Sequence, residues 1–331
     1  MRSWRAGLVA AAAMVFTLAL GVILGSGPLR TALTGQSAAQ ADALRTQIAE
    51  RDAQLTAKDE EIARGAQVLE QLVPVAVQGR LLGQGVVIVV GPGMDEDAVA
   101  ATADALRAAG ATVTATARLS DTWLAAEQGA FRRALAEQIV TDVGVPDAGA
   151  SAEQILAGAL VQALVPSAAL ADAPAPDPAD APLDAAIAAQ RSAVLAEVLT
   201  RADLVVIEDS ADGPAAGDGQ LHGPSASLAV ILVADEADAV ARAAGADRFA
   251  RLGAAFASAR VGTVLVTGAP QPDDVGAVVA ESPAVASGAS VVANGWDALG
   301  PLVVVLAAQE QLWGGSGVYG AVDRGPLLPT P

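Results

Sequence analysis

The first feature of the chain is an apolar run from Ala6 to Leu24 that contains no charged residue. At about 1.5 Å per residue, a helix over this run comes close to the ~30 Å thickness of the hydrocarbon core of a bilayer. Arg2 and Arg5 precede the run, and the positive-inside rule then places the N-terminus in the cytoplasm. The pattern predicts an N-in/C-out transmembrane anchor in the cytoplasmic membrane, within a region of residues 1–29, and the bulk of the chain outside the cytoplasm.

A cleaved signal peptide is the alternative interpretation of this N-terminus. A basic segment leads the apolar run, and Ala39-Gln40-Ala41 has the A-x-A form of a cleavage site. Cleavage ordinarily follows the apolar run closely, whereas this site lies well beyond Leu24. The spacing therefore favours the uncleaved anchor.

The next pattern is a heptad repeat in a stretch rich in Gln, Asp and Glu. One apolar side chain recurs every seven residues, at Ile48, Leu55, Ile62 and Leu69. Such spacing is typical of one seam of a coiled coil, so residues 30–79 are predicted to form a helical stalk that binds a second copy of the chain or an envelope protein. The companion heptad position is mostly charged, as at Asp52 and Asp59, so the repeat leaves the oligomeric state open. Pro74 is expected to end the helix because proline lacks an N–H group.

Beyond the stalk, apolar runs alternate with helical patterns. Val86 to Val90 form the first run, Asp95 to Ala109 have helical spacing, and Thr112 to Leu119 complete a βαβ unit. Four later runs are predicted to be buried strands: Leu204–Ile207, Leu228–Val233, Thr263–Thr267 and Ser290–Ala293. Parallel strands covered on both faces have continuous apolar runs, so the pattern predicts a Rossmann-like α/β fold with a mostly parallel sheet and helices on both faces.

This α/β domain is predicted to occupy residues 80–331. A helical pattern at residues 121–165 interrupts the strands and indicates an insertion. Four prolines in an Ala/Asp background at residues 168–182 predict an extended linker before the second half of the sheet.

The composition excludes several classes of function. Among the 331 residues there is no cysteine, so neither a disulfide framework nor a thiolate metal site can form. The formal net charge of −18 opposes binding to nucleic acid. With a single histidine and neither a P-loop nor a G-x-S-x-G motif, the chain is predicted not to be an enzyme.

Ligands of open parallel sheets bind at the carboxyl ends of the strands. After the first strand, Gly91-Pro92-Gly93 resembles a phosphate-binding turn, but Asp95, Glu96 and Asp97 place negative charge where a pyrophosphate needs positive potential. A tight turn followed by an acidic helix N-terminus explains these residues better. No organic cofactor is therefore predicted.

The loop after the predicted strand Leu204–Ile207 contains side chains that could bind a metal ion. Carboxylates suit hard cations, and a histidine beside them admits a transition metal. The weak candidate ligands are Glu208, Asp209, Asp212, Asp218 and His222. A solvated loop is the alternative, because their spacing matches no metal motif.

Both ends of the chain carry distinctive segments. Leu18–Leu29 reads LALGVILGSGPL, and Glu310–Gly320 reads EQLWGGSGVYG ahead of the ending Leu327–Pro331. Together with the stalk and the turn Ala109–Val113 of the βαβ unit, these segments resemble the actinobacterial copper transporter family of MctB. The glycines near the C-terminus are expected to form a tight loop, with Tyr319 either as an aromatic plug or as a partner contact.

The resemblance implies a role in copper homeostasis or efflux, and copper is the only cofactor or cargo that it suggests. Some relatives, of the SteB type, are membrane-bound partners in cell-envelope organisation and cell separation, which implies a non-enzymatic interaction protein as the alternative. Cu(I) prefers sulfur ligands, and the only sulfur atoms belong to Met1, Met14 and Met94, so tight Cu(I) ligation is not expected.

Overall fold

The computed structural model of the chain describes residues 11–19, 28–143, 149–166, 181–209, 225–234, 239–268, 278, 288–320 and 326–329. The chain divides into two compact units, residues 1–66 and residues 67–331.

The first helix, α1, covers residues 11–19, and its side chains are exposed. The remaining parts of the predicted membrane span, residues 6–10 and 20–24, lie outside the described residues. Among the helices within the described ranges, none combines the length and the apolar character that crossing a membrane requires.

Helix α2 spans Pro28–Val77 and is 50 residues long. The prediction that Pro74 ends this helix is wrong, because Pro74 lies inside it. A proline in a helix interior costs about 3 kcal/mol. Burial offsets this cost: Val73, Val77 and, just beyond the helix, Leu81 are 7%, 0% and 0% exposed, and each such side chain contributes about 1.5–3 kcal/mol when buried.

As far as the chain is described, the second unit is built around one sheet of seven strands. The strands are β1 Gly85–Val90, β2 Thr112–Leu119, β3 Val205–Asp209, β4 Ala226–Leu232, β5 Gly262–Val266, β6 Ala289–Val292 and β7 Val318–Tyr319. Their order across the sheet is β3-β2-β1-β4-β5-β6-β7, and every neighbouring pair is parallel except β2 with β3. The predicted mostly parallel α/β sheet is confirmed, and its first six strands overlap the six apolar runs of the sequence.

Within the described ranges, seven further helices surround the sheet. They are α3 Glu96–Ala108, α4 Asp121–Leu124, α5 Gly129–Val143, α6 Ala152–Leu164, α7 Ala181–Arg201, α8 Ala239–Ser258 and α9 Gly300–Leu312, with a 3-10 turn at Ala126–Gln128. Helices α4 to α6 occupy the segment in which the sequence predicts a helical insertion. Of the predicted linker, residues 168–180 lie outside the described residues.

Strand β3 runs antiparallel to β2, a direction that the apolar pattern could not reveal. The N–H of Ser120, just after β2, donates to the carbonyl of Leu204 at 3.0 Å. Asp203, with a φ of 54°, makes the turn from α7 into β3. The chain therefore enters β3 at the carboxyl end of β2 and must run back along it. The order β3-β2-β1-β4-β5-β6 is that of the Rossmann fold, with this one strand reversed.

Alternate residues of β1 point into two separate apolar cores. Val86, Ile88 and Val90 pack with α3, α9 and the end of α2. Val87 and Val89 pack with residues of α4 to α8 on the opposite face. Because helices cover both faces, β1 is buried along its whole length and its sequence shows no polar alternation.

Candidate functional site

The turn after β1 is tightly packed at its first glycine. A Cβ atom at Gly91 would lie 2.9 Å from Cζ of Phe249 and 3.0 Å from the carbonyl oxygen of Leu232. Glycine is needed here because α8 and β4 press against its backbone. Farther along, Oδ1 of Asp95 accepts a hydrogen bond from the N–H of Asp97 at 2.9 Å and caps α3. The predicted tight turn with an acidic helix N-terminus is confirmed.

Arg118 in β2 gathers carboxylates from two other elements at the carboxyl edge of the sheet. Its Nη1 and Nη2 donate to Oε1 and Oε2 of Glu96 at 2.8 and 2.9 Å, a bidentate pairing with the first turn of α3. Its Nε lies 3.6 Å from Oε1 of Glu208 in β3. Glu208, one of the predicted metal ligands, therefore faces a guanidinium whose positive charge opposes the approach of a cation.

The other predicted metal ligands are not brought together by the described part of the chain. Asp209 ends β3 opposite Ala115. Asp212, Asp218 and His222 lie outside the described residues. Where the chain is described, no group of three His, Cys, Asp or Glu side chains could hold a metal ion. The metal site in this loop stays a prediction.

Met94 is the sulfur-containing residue that the sequence places closest to the sheet edge. Its side chain is partly buried and packs against the apolar core that contains α3 and α9. The thioether therefore serves packing, in the way methionine commonly fills gaps in a core.

Tyr319 closes the end of the sheet at β7. It is 4% exposed, and its hydroxyl donates a hydrogen bond to Oε2 of Glu310 on α9. Burial, followed by the hydrogen bond to Glu310 and the charge of that carboxylate, raises the pKa of Tyr319 well above its ordinary value. Of the two interpretations of this residue, the structure supports the aromatic plug.

The glycines around Tyr319 are required by close contacts. A Cβ atom at Gly317 would overlap the hydroxyl of Tyr319. Gly320 has a φ of 79°, and its carbonyl accepts a hydrogen bond from Nδ2 of Asn294 at 2.8 Å. The C-terminal glycine-rich segment thus builds the edge strand β7.

The heptad stripe of α2, defined as Ile48, Leu55, Ile62 and Leu69, is the other predicted site. Ile48, Leu55 and Ile62 are 59%, 62% and 68% exposed, and Leu69 is partly buried. Charged residues flank the stripe, among them Lys58, which pairs with Glu61 at 2.6 Å. Large aliphatic side chains in line between charges are the arrangement that coiled coils and helix-in-groove contacts use. The coiled coil itself stays a prediction.

Sequence reasoning did not single out Arg118, although it links three elements. Its partner Glu96 is 22 residues away in the chain, and Glu208 is more distant still. One signal was present: Arg118 is the only charged residue in the strand sequence TVTATARL. A lone charge near the end of a strand that is otherwise uncharged indicates an ion pair at the sheet edge.

Comparison with protein families gives one match. The family model described as "Copper transport outer membrane protein, MctB" matches residues 1–326. The comparison with curated proteins found no match. Because the family match covers nearly all of the 331 residues, the N-terminal region, α2 and the sheet all belong to it. The chain therefore belongs to the MctB family, whose description implies a copper-transport-related function at the cell envelope.

Proposed function

We propose that this protein serves copper homeostasis or efflux at the cell envelope as a single-pass protein of the cytoplasmic membrane. The family match over residues 1–326 carries the proposal. The apolar run Ala6–Leu24, with Arg2 and Arg5 before it, supports an N-in/C-out anchor. In this topology the α/β unit lies outside the cytoplasm.

The family description names the outer membrane, so the location requires its own test. Separation of inner and outer membranes, followed by immunodetection, assigns the full-length protein to one of them. Protease digestion of spheroplasts then tests the orientation, since an N-in/C-out protein loses its α/β unit to external protease.

We propose further that the protein acts without enzymatic chemistry and does not hold copper itself. Cu(I) is bound in proteins mainly by Cys and Met sulfur atoms. The chain has no cysteine, and Met94 packs into a core. Glu208 is engaged by Arg118. Copper is therefore a cargo that passes through a partner, and this protein supports that partner.

The stripe of α2 is the surface proposed to bind such a partner. Ile48, Leu55 and Ile62 expose aliphatic area that is unfavourable in water and is removed from it by a second helix. The occupant is either a membrane or envelope protein or a second copy of this chain. Anchoring in a membrane would confine both partners and raise their effective concentration.

Deletion of the gene tests the copper function. We expect cells without the protein to accumulate copper and to grow less well in copper-containing medium, and we expect the intact gene to restore both properties. Zinc content serves as the matched control, because a general defect of the envelope would disturb zinc as well.

A second candidate function is a SteB-like role in envelope organisation and cell separation. The exposed stripe favours it, since a helix that presents apolar side chains suits an interaction protein. Under this alternative, cells without the protein show separation defects while their copper content stays normal. Microscopy of septa beside the copper measurement therefore distinguishes the two functions.

A further inference from the structure

Charged residues flank the stripe of α2 in a regular order. A helix completes a turn in about 3.6 residues, so the third and fourth residues after a given position lie on opposite sides of it. Arg51 and Asp52 follow Ile48 at these two positions. The same order recurs one heptad later, at Leu55, Lys58 and Asp59. The stripe therefore has a basic side, formed by Arg51 and Lys58, and an acidic side, formed by Asp52 and Asp59.

These charges are exposed and largely available to a partner. Among the described residues, Arg51, Asp52 and Asp59 form no side-chain ion pair. Lys58 pairs with Glu61 of its own helix at 2.6 Å, but their side chains are 71% and 62% exposed, and such a surface pair is weak. The ammonium group of Lys58 has three N–H donors, so it can bind a second carboxylate as well.

The order of the charges is complementary to itself when two copies of α2 lie parallel. In a parallel, in-register pair, the two-fold axis runs along the stripe and turns the basic side of each copy towards the acidic side of the other. Arg51 then faces Asp52 of the second copy at nearly the same height, because consecutive residues differ by ~1.5 Å along a helix. Lys58 meets Asp59 of the second copy in the same way. An antiparallel pair would instead place acidic side against acidic side, so the charges favour the parallel arrangement.

Gly65 is a second observation that points to a neighbouring helix. It follows Ile62 at the position that Arg51 and Lys58 hold in the two preceding heptads. Glycine in the interior of a helix is destabilising relative to alanine. A Cβ atom at Gly65 would meet nothing within 4 Å, so the space within the chain does not require glycine here. The close approach of a second backbone beside the stripe accounts for it.

We propose that α2 pairs with α2 of a second copy of this chain, parallel and in register, with apolar layers of the stripe alternating with layers of ion pairs. Ile48, Leu55 and Ile62 each meet their counterpart, and their present exposure of 59–68% leaves a large apolar surface to bury. The inference rests on the proposed function for its occupied surface and for the N-in/C-out anchor. Such an anchor directs both copies of α2 the same way and raises their effective concentration.

Single cysteines test this pair in the full-length protein in membrane vesicles, since the natural chain has no cysteine. Ile48→Cys, Leu55→Cys and Ile62→Cys should each form a dimer with a short thiol-reactive cross-linker, because identical positions lie side by side in a parallel, in-register pair. Ala57→Cys is the matched control: it is exposed on the opposite face of α2 and should cross-link about tenfold less. An antiparallel pair would link only one of the three stripe positions.

Charge reversal tests the ion-pair layers. One variant, Asp52→Lys with Asp59→Lys, makes the acidic side basic. The other, Arg51→Asp with Lys58→Asp, makes the basic side acidic. In the Leu55→Cys background, each variant alone should cross-link about tenfold less than that background, since like charges then face each other. When the two variants carry different tags and are produced together, cross-linking between them should return to the level of the background.

Two results would overturn the proposal. One is a cross-linked dimer at none or only one of the three stripe positions. The other is that the two charge variants link no better together than each does alone. Should circular dichroism show that a charge variant is unfolded, the single cysteines decide.

The copper measurement is a separate outcome. Normal copper content in cells without the gene would refute the proposed function and leave the pair of α2 helices intact. Loss of the pair would leave the stripe to a different envelope protein.

Discussion

The hydroxyl of Tyr319 donates a hydrogen bond to the carboxylate of Glu310, and this contact ties the edge strand β7 to helix α9. The ring is buried, and Gly317 provides the space that the hydroxyl occupies. The segment Glu310–Gly320, which carries part of the family resemblance, thereby ties β7 to α9.

The protonation of Tyr319 gives the first prediction. It is the only tyrosine, so the ultraviolet absorbance of tyrosinate reports on it alone. In the folded protein it should keep its proton above the ordinary tyrosine pKa of about 10, since its pKa is raised. Because the pKa is raised in the folded state, the stability that the buried, protonated hydroxyl contributes is fully present below about pH 10. It is lost as the pH rises through the raised value. Normal titration of native Tyr319 would contradict the buried hydrogen bond.

Tyr319→Phe provides the control for this prediction. The variant lacks the hydroxyl, so its free energy of unfolding should be lower by about 1 kcal/mol at neutral pH. At alkaline pH, the free energy of unfolding of the variant should also lack the decrease that deprotonation of Tyr319 causes in the parent protein. Denaturant unfolding at several pH values measures both effects.

The pairing of Arg118 with Glu96 gives the second prediction. Arg118→Gln should lower the free energy of unfolding by about 0.5–1 kcal/mol, because the pair is bidentate but Glu96 is 72% exposed to solvent. Added salt should reduce the difference between the variant and the parent. Glu208→Gln is the matched comparison and should lower the free energy of unfolding by less, since Oε1 of Glu208 lies 3.6 Å from Nε of Arg118. An equal or larger cost for Glu208→Gln would contradict this ranking.

Much of the fold could be predicted from local patterns, because strands buried on both faces have continuous apolar sequences. The runs at Val86–Val90 and Thr112–Leu119 match β1 and β2 closely. Strand β7 was not predicted, since the two residues Val318–Tyr319 form no run. The helix continues through Pro74 because tertiary burial outweighs a local preference. The direction of β3 depends on where α7 ends, which no local pattern encodes.

The candidate site was less predictable, for a physical reason. Carboxylates on a loop are equally compatible with a metal ion, with an ion pair and with water. In the structure Arg118 lies beside Glu208, a contact that depends on the pairing of β2 with β3.

The third prediction concerns copper itself. The purified protein should bind Cu(I) no more tightly than a generic acidic protein does, because carboxylates are poor ligands for a soft ion. Competition with a Cu(I) chelator of known affinity measures this. Met94→Leu and His222→Ala should leave the result unchanged. A stoichiometric, tight site that disappears in either variant would mean that the protein ligates copper directly.

The fourth prediction concerns the stripe of α2. Leu55→Asp combined with Ile62→Asp should abolish cross-linking of α2 to a partner or to a second copy, since both side chains are mostly exposed and available for contact. The sheet should stay folded, because its cores lie in the second unit. Gln54→Asp combined with Ala63→Asp introduces the same two residues beside the stripe and should cross-link like the parent. Equal cross-linking of the stripe variant would remove the structural support for an interaction surface there.

The copper content of whole cells is the sharpest test of a role in copper homeostasis. Elemental analysis compares the parent strain, a strain without the gene, and that strain complemented with the intact gene, all grown with added copper. We expect copper to rise in the strain without the gene and to return to the parental level on complementation. It should rise again when the complementing gene carries Leu55→Asp and Ile62→Asp at equal protein abundance. Identical copper content in the parent strain and the strain without the gene would contradict a role in copper homeostasis.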